Sequence, residues 1–467
     1  MLSRSSGKRT KVVRVRARPY PRYRPSGVEW LDDVPEHWQV KRLKMAVRLR
    51  DRKVEADEES TLPYIGMENV ESWTGRLLPI DADVIPSGMA NEFKAGHTLF
   101  GKLRPYLAKA CNPDFDGLCS TELLVLKGAE LDRRTLLYSL LSDGFIKLVD
   151  SSTYGSKMPR ASWDFIGNCV VPIALPEEQC AIADFLDRET ARIDTLVAKK
   201  RTLIERLKEK RTALISRTVT RGLPPDAARA AGFDPHPKLK PSGIDWLGDV
   251  PERWEVKKLG HISTVVRGAS PRPAADPRYF DGDFIPWITV GELTKDSGLY
   301  LTSTESMLTQ EGAALSRVIS EGTLVLTNSG ATLGVPKILA LAGCANDGVV
   351  AFENLRRDAS SLFLYYFLAS ITDNLRDRIK QGSGQPNLNT DIIRALATPF
   401  PSGAEQRAIA SYLMNKTADI DDMVAKVETA IERLQEYRSA LITAAVTGKI
   451  DVRLQTADNA HETVIAA

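Results

Sequence analysis

The side chains that most often carry out catalysis are scattered along this 467-residue chain and do not form a known catalytic pattern. The sequence has no G-x-x-x-x-G-K-[ST], the loop that holds nucleotide phosphates, so nucleotide hydrolysis is not indicated. Its five histidines are dispersed and no H-E-x-x-H pair occurs, which argues against a zinc hydrolase. No acidic cluster with the spacing of a nuclease metal site is present. The sequence therefore predicts neither a catalytic site nor a metal site.

Two short stretches match nucleotide-related motifs only in part. GSGQPN at 382–387 has two glycines, but neither the spacing nor the strand-then-helix setting of a dinucleotide-binding loop. Asn112-Pro113-Asp114-Phe115 shares three of its positions with the N-P-P-[FY] loop of adenine methyltransferases. No glycine-rich methyl-donor motif precedes it, so a plain turn is favoured.

The cysteines are odd in number and never spaced as C-x-x-C, which is typical of a reduced protein and argues against a disulfide framework or a zinc site. We expect buried, inert thiols at Cys111, Cys119, Cys169, Cys180 and Cys344.

Without a catalytic pattern, a chain long enough for roughly two to four domains is better explained by recognition than by catalysis. Two alternatives stay open on the residues alone. One is a methyltransferase or nuclease whose motifs have diverged; the other is a scaffold whose paired helices join two protein-binding domains.

Two internal repeats indicate how the chain is organised. SGVEWLDDVPEHWQVKRL (26–43) recurs as SGIDWLGDVPERWEVKKL (242–259), with 12 of 18 positions identical. We call these segments the tryptophan repeats. The segment 178–220 recurs at 405–447, and both copies begin E-Q-x-A-I-A; we call these the helical repeats. The regions between them, 44–175 and 260–401, are unlike, so two half-molecules share their ends and differ in the middle.

Each helical repeat is predicted to be one long helix, since neither Gly nor Pro interrupts it and apolar residues recur at 3-4 spacing. At 1.5 Å per residue each spans on the order of 60 Å. Lys200 and Lys210 stand where Val427 and Tyr437 stand in the other copy, which favours an antiparallel pairing of the two helices; the alternative is that each packs on its own domain. The predicted seam consists of Ile193, Leu196, Leu203, Leu207, Leu214, Ile420, Met423, Val427, Leu434, Tyr437 and Leu441.

The unlike middle regions contain short β-like runs separated by turn-rich stretches and a few amphipathic segments. The predicted strands lie in 62–67, 97–103, 121–126, 284–290, 322–330 and 349–355, and the predicted helices in 133–149 and 360–380. The expected fold class is mixed α/β, with an internal pseudo-two-fold repeat. Trp30, Trp38, Trp246 and Trp254 could stack on bases, but closing a small core is the favoured role.

The net charge of +3 hides an asymmetry. Residues 1–25 carry nine Lys/Arg and no acid, while the remaining 54 basic and 60 acidic residues give a net charge of −6. Nucleic acid would therefore have to bind local basic patches. We expect a disordered basic tail at 1–25 and a flexible tail at 451–467. No run of about 18 apolar residues and no apolar signal region occur, so a cytoplasmic protein without a membrane span is expected.

Taken together, four features resemble the specificity (S) subunit of type I restriction-modification systems over about 26–450. They are the tryptophan repeats, GKLRPYLAK (101–109) with CSTELLVL (119–126), GSGQPNLN (382–389), and the doubled E-Q-x-A-I-A before a long helix. The chain departs from the family pattern in its basic N-terminus and at GSKMPR (155–160), which replaces the Gln/Asn-rich loop.

The resemblance implies two target-recognition domains, at 26–176 and 242–401, that each read one half of a bipartite, asymmetric DNA site. It also implies antiparallel, coiled-coil-like spacer helices at 177–221 and 402–450, which set the gap between the halves, and a linker at 222–241. Such a subunit has no catalysis and binds no cofactor. It recruits two adenine methyltransferase (M) subunits and the restriction/translocase (R) subunits, which use S-adenosylmethionine, ATP and Mg²⁺.

Base edges in the major groove are read by Arg, Lys, Asn and Gln, and phosphates are bound by Lys, Ser and backbone amides. Applied to the family loops, this predicts DNA contacts from Lys102, Arg104, Tyr106, Tyr154, Ser156, Lys157, Arg160, Arg267, Arg272, Asn328, Ser329, Gln381, Ser383, Gln385, Asn387 and Asn389. The alternative for these residues is local: an arginine paired with a carboxylate, or an asparagine capping a turn.

Overall fold

The computed structural model describes residues 18–56, 62–80, 88–155, 157–330, 332–379 and 388–453, with the side chains of 377–379 left out. The chain forms two compact units. Unit 1 combines the residues up to Lys200 with those from Glu428 onward, and unit 2 is Arg201–Val427. Among the described residues, no helix is both long and apolar enough to cross a lipid bilayer.

Unit 1 is mixed α/β, as the sequence predicts. Its strands are β1 Tyr23–Pro25, β2 Asp33–Pro35, β3 Gln39–Arg42, β4 Val47–Arg50, β5 Lys53–Ala56, β6 Tyr64–Ile65, β7 Gly88–Phe93, β8 Thr98–Gly101, β9 Ala110–Cys111, β10 Gly117–Ser120, β11 Leu123–Gly128 and β12 Val170–Ile173. Its helices are α1 Leu43–Ala46, α2 Arg133–Leu140, α3 Asp143–Ser151, α4 Trp163–Ile166 and the start of α5 Pro176–Arg221.

Two sheets, in the orders β5-β7-β10-β6 and β4-β11-β8-β9, form the middle of unit 1. The pair β3-β12 joins the tryptophan repeat to the strand just before α5, and the pair β1-β2 joins the start of that repeat to the residues before it. The core is built from alternating apolar strand residues such as Phe100 and Leu126, which pack against Leu136 and Phe145 of α2 and α3.

Unit 2 repeats this plan, with different strands at the edges of its middle sheets. Its strands are β13 Leu239–Pro241, β14 Asp249–Pro251, β15 Glu255–Lys258, β16 Thr264–Arg267, β17 Ile285–Ile288, β18 Tyr300–Leu301, β19 Met307–Leu308, β20 Arg317–Ile319, β21 Leu324–Thr327, β22 Pro336–Leu339, β23 Gly343–Ala345, β24 Val349–Glu353 and β25 Ala397–Phe400. Its helices are α6 Pro225–Ala230, α7 Pro277–Phe280, α8 Val290–Thr294, α9 Gln310–Ala314, α10 Ser361–Ile379, α11 Thr390–Ala395 and the start of α12 Gly403–Val446.

The pairs β13-β14 and β15-β25 correspond to β1-β2 and β3-β12 of unit 1. Between them lie sheets in the orders β16-β24-β21-β22-β18 and β19-β17-β23-β20. Each of the six predicted β runs contains a strand, and both predicted helical segments are helical, the first as α2 and α3. The linker at 222–241 is less extended than predicted, because it contains α6 and β13.

The two long helices run antiparallel within each unit. In unit 1, Glu178 at the start of α5 pairs with Arg453 beyond the end of α12, and Asp194 further along pairs with Arg438. In unit 2, Arg211 of α5 pairs with Asp421 of α12. Glu405, at the start of α12, lies beside Gly222, which follows the end of α5. As residue numbers rise along α5, the residue numbers of the partners at or beyond α12 fall, so the two helices run antiparallel in both units.

The predicted seam of these helices is wrong in phase at several positions. Leu196 and Leu203 are 37% and 44% exposed, and the next residues, Val197 and Ile204, are buried instead. Leu207 and Leu214 are only partly buried. In α12, Met423 and Tyr437 are 50% and 43% exposed, whereas Ile420 and Leu441 are buried as predicted, and Val427 and Leu434 are partly buried. Ile193 is buried as predicted, and buried Val197, Ile204 and Ile215 each lie one residue after a predicted seam position.

The predicted tails are shorter than expected. Tyr20 is 3% exposed and packs edge-on against Trp38, and the Tyr23 hydroxyl donates to the Gly448 carbonyl at 2.9 Å. Val452 is fully buried, and Asp451 N–H donates to the Arg18 carbonyl at 2.8 Å. The described ends of the predicted tails, 18–25 and 451–453, are therefore part of unit 1, since Tyr20 and Val452 are buried there. Residues 1–17 and 454–467 lie outside the described part.

Candidate nucleic-acid interface

Both tryptophan repeats bind the first turns of a long helix in the same way. Trp38 Nε1 donates to Glu178 at 2.9 Å, and Trp254 Nε1 donates to Glu405 at 3.1 Å. These side chains are nearly fully buried, and a buried carboxylate needs such donors. The prediction that the tryptophans close a core is thus confirmed. Trp30 and Trp246 are partly buried and contact Phe145 and Phe367 at 6.2 Å between ring centres.

The glutamines that follow these glutamates also have matching roles. The Gln179 side chain accepts from Asp132 N–H and donates to the Glu130 and Ala174 carbonyls. The Gln406 side chain accepts from Ser360 N–H and donates to the Asp358 and Pro401 carbonyls. E-Q-x-A-I-A is therefore a structural motif that fixes the long helix to the loops before it.

In unit 1, the two segments predicted to contact DNA lie side by side. Leu103 and Tyr154 each form a β-bridge with Arg160, and Arg104 N–H donates to the Pro159 carbonyl at 2.7 Å. Ala161 N–H donates to the Lys102 carbonyl at 2.9 Å. The sequence places these segments about 50 residues apart. The backbone contacts bring them into one surface, which we call the unit 1 loop surface (102–106, 154–155 and 157–160).

The side chains of the unit 1 loop surface are mostly available to a ligand. Arg104, Tyr106, Tyr154 and Lys157 are exposed and Lys102 is partly buried. Arg104 has a left-handed φ of 48°, a conformation that non-glycine residues seldom adopt and that marks a position fixed by its surroundings. Ser156 lies outside the described residues.

Arg160 differs from its neighbours because it already has a carboxylate partner. Its Nε donates to both Glu122 oxygens at 3.2 and 3.1 Å, in a partly buried ion pair. The residue therefore orders the loop, which is the local role considered for these arginines.

Two cations that the sequence motifs do not single out lie beside the same surface. Arg50 ends β4, Lys53 begins β5, and both line a cavity together with Lys102 and Tyr154. The run RLRDRK (48–53) was visible in the sequence, but nothing local shows that it adjoins the loop at 154–160.

In unit 2, the two arginines predicted to contact DNA converge on Asp347. Arg267 Nε donates to the Asp347 carbonyl at 2.6 Å, and Arg272 donates to its carboxylate at 3.2 Å. The hydrogen bond from Ser270, with the two nearby arginines, holds the pKa of Asp347 below its ordinary value. Both guanidinium groups remain on the surface, and the ionised carboxylate keeps them in place.

The other predicted residues of unit 2 are less accessible. Asn328 is 1% exposed and Ser329 partly buried, and the Asn328 carbonyl accepts from Leu388 N–H at 2.7 Å. Asn389 is exposed, but its Oδ1 accepts from Ile392 N–H at 2.8 Å and caps α11, the capping role considered above. Gln381, Ser383, Gln385 and Asn387 lie outside the described residues.

No group of His, Cys, Asp and Glu able to hold a metal ion occurs in the described part of the chain. Cys111, Cys119, Cys169 and Cys344 are buried, as predicted, whereas Cys180 on α5 is exposed. Burial raises the pKa of Cys111, Cys119 and Cys169 to about 12.

We expect iodoacetamide at pH 8 to alkylate Cys180 and to spare Cys111 and Cys119 in the folded chain. A pKa of about 12 leaves roughly one thiol in 10,000 ionised at that pH, and only the thiolate reacts. Peptide mass spectrometry measures the labelling, with the urea-unfolded chain as the control in which all five cysteines react. Equal labelling rates for Cys111 and Cys180 in the folded chain would contradict the expectation.

Residues 251–433 match the family model for the type I restriction modification DNA specificity domain. The type I restriction enzyme MjaVIII specificity subunit of Methanocaldococcus jannaschii is 24% identical over 459 residues, which cover 90% of this chain and 94% of that protein. The MjaIX specificity subunit of the same organism is 30% identical over 196 residues. That match covers 41% of this chain and spans only 43% of the MjaIX subunit.

A similar fold occurs in a solved structure concerned with complex assembly and conformational transition of the type I R-M system. One chain of it is 21% identical, with a TM-score of 0.63 over 88% of this chain and 98% of that one.

Proposed function

We propose that this chain, which belongs to the family of type I restriction-modification specificity subunits, binds a bipartite, asymmetric DNA site with one half-site on each unit. The observation that carries the proposal is the contrast between like ends and unlike middles. Trp38–Glu178 and Trp254–Glu405 are equivalent contacts, but the regions between them differ in sequence, and their sheets differ at the edges, where unit 1 has β5 and unit 2 has β18 and β19. Two DNA-binding units that are anchored in the same way but differ in their loops suit a target whose two halves differ in sequence.

In unit 1, the proposed DNA contacts are the exposed side chains of the unit 1 loop surface, together with Arg50 and Lys53. Arg104 would reach base edges, and Lys102 and Lys157 would bind phosphates. In unit 2, Arg267 and Arg272 would bind phosphates, with Ser329 and Asn389 at the edge of the contact. The loop 381–387 is proposed as a further contact on the family resemblance alone.

The long helices are proposed to set the number of unread base pairs between the half-sites. Half-sites on one face of B-DNA lie about 34–36 Å apart, and a helix pair is stiffer than a loop over that length. The chain is not itself an enzyme in this proposal and needs no cofactor. It recruits two M subunits, which methylate adenine with S-adenosylmethionine, and R subunits, which use ATP and Mg²⁺.

Selection from random-sequence duplexes tests the proposal. The purified chain, with and without its M partner, is expected to enrich two different half-sites separated by a fixed gap. Enrichment of one continuous motif, or methylation of DNA by the chain alone, would contradict it.

A second measurement separates base reading from phosphate binding. Lys157→Ala is expected to weaken binding uniformly across sequences and to lower the salt dependence of log K by about one ion. Arg104→Ala is expected to relax the sequence preference at one position by about 1–3 kcal/mol. If both variants change only overall affinity, Arg104 reads no base.

A further inference from the structure

A cavity of 310 Å³ opens beside the unit 1 loop surface. It lies where the end of β4 and the start of β5 meet the loop 154–163, and its wall includes Arg50, Lys53, Lys102 and Tyr154. Ligand cavities in proteins measure about 300–1,000 Å³, so this one has room for a group of the size of one nucleotide and not for a duplex.

The wall of the cavity is positively charged. Arg50 and Lys102 form no ion pair with any residue in the described ranges, whereas Lys53 lies 3.7 Å from Asp51, the one acidic residue of the wall, and Arg160 is paired with Glu122. Two uncompensated cations in a concave wall raise the local concentration of an anionic ligand. The chemistry of the wall therefore fits a phosphate-bearing molecule.

Asn91 is the deepest polar residue of the wall and has an unused acceptor. It is 7% exposed, and its Nδ2 donates to the Leu123 carbonyl at 2.9 Å. Its Oδ1 is buried and has no hydrogen-bond partner among the residues that the structure describes. Buried polar atoms are rarely left unpaired, so a ligand that brings an N–H group would supply the missing bond.

Two aromatic rings complete the cavity. Tyr154 is 65% exposed and Trp163 is partly buried, and both line the wall. Aromatic side chains of this kind stack on the faces of unpaired bases. A nucleotide carries all three matching groups: a phosphate that would bind the cations, a flat ring that would stack on the aromatic side chains, and an N–H that would donate to Asn91.

We propose that this cavity receives one unpaired nucleotide that leaves the duplex when unit 1 binds its half-site. A base that stays paired presents its edge inside the groove, where side chains that protrude from the protein reach it. Such a base cannot enter the cavity. An extruded nucleotide can enter, as in proteins that take a base out of the stack. This inference rests on the proposed function and names the state of the DNA that unit 1 holds.

The test uses the half-site of unit 1 found by selection, with the chain in complex with its M partner. Duplexes that carry a mismatch at each position in turn are titrated against the wild-type complex and against complexes with Tyr154→Ala or Asn91→Leu. At one position, the mismatch is expected to raise the affinity of the wild type about tenfold, because the pair no longer has to be opened. In both variants this gain is expected to fall below about threefold, because the stacking face or the acceptor is lost.

Lys157→Ala is the matched control, since Lys157 is on the same loop but does not line the cavity. It is expected to weaken binding to matched and mismatched duplexes by the same factor. Tyr154 is exposed, so Tyr154→Ala is expected to fold. This variant tests the inference even if Asn91→Leu fails to fold. Should no position show a mismatch gain that depends on Tyr154, the inference is overturned while the selected half-site stands. Failure to select any half-site would instead contradict the proposed function.

Discussion

Inserting one heptad into α5 between Asp194 and Arg211 is expected to lengthen the gap between the half-sites and to leave both half-site sequences unchanged. The reading residues lie on the loops of each unit and are not touched by the insertion. Seven residues preserve the heptad phase of the buried positions, so the helices can still pair. At 1.5 Å per residue the insertion adds about 10 Å of helix, or roughly three base pairs at 3.4 Å each.

The place of the insertion follows from two ion pairs that mark the antiparallel register. Asp194 pairs with Arg438 in unit 1, and Arg211 pairs with Asp421 in unit 2, both at 3.1 Å. Heptads inserted both between Asp194 and Arg211 and between Asp421 and Arg438 retain both pairs, whereas an insertion in α5 alone puts one pair out of register. Inserted alone it leaves α12 too short to match, so we expect the full change only when a second heptad is placed between Asp421 and Arg438. The single insertion is expected to give a smaller change.

The control is a seven-residue insertion after Gly232, in the connection between α6 and β13, where the backbone has open space around it. It lengthens the chain by the same amount but does not alter the helix pair, so we expect no change in the gap. Selection from random duplexes measures the half-sites and the gap for each variant. If the half-sites change and the gap does not, the helices do not set the gap.

Arg438→Met is expected to destabilise unit 1 by about 3–5 kcal/mol, the cost of removing one partner of a buried ion pair. The Arg438 side chain is 8% exposed and Asp194 is 17% exposed. Its guanidinium also donates to the Trp73 carbonyl at 2.6 Å and to the Thr74 carbonyl at 3.0 Å. The variant would leave a carboxylate and two carbonyls without these donors, and methionine would supply only its apolar stem.

The internal repeat supplies the matched control, because Arg211 and Asp421 occupy the positions equivalent to Arg438 and Asp194. Their side chains are 30% and 57% exposed, so solvent screens the pair. Arg211→Met is therefore expected to cost only about 0–1 kcal/mol. Urea unfolding gives the free energy, and hydrogen exchange of peptides around Trp73 assigns the loss to unit 1. An equal loss of unfolding free energy in the two variants would show that burial of the ion pair does not determine its contribution to stability.

Much of the fold could be predicted because its determinants are local. The strand runs around Leu99, Val125 and Val325 alternate or are continuously apolar, and turn residues bound them. After their first residues, Pro176 and Gly403, the long helices lack Gly and Pro until Gly222 and Gly448, which adopt left-handed φ values of 88° and 74° just past their ends. Local propensity and periodicity were enough at these positions.

The seam of the long helices could not be predicted to the residue, and the reason is a degenerate pattern. Leu196-Val197, Leu203-Ile204 and Leu214-Ile215 are adjacent apolar pairs, so two seams one residue apart fit the spacing about equally well. Which of them is buried depends on the partner helix. Sequence spacing carries no information on that partner.

The chain by itself determined the order of its parts: two tryptophan repeats, two helical repeats, and unlike regions between them. Repetition is a property of sequence and needs no contacts to be seen. Only the tertiary structure decided which polar residues are available, because their partners are distant in the chain. Glu122 holds Arg160 and Asp347 holds Arg267 and Arg272, while Arg50 and Asn91 join Lys102 at one cavity. Strand pairing between distant parts of the chain brings these residues into contact, and no local sequence pattern predicts such contacts.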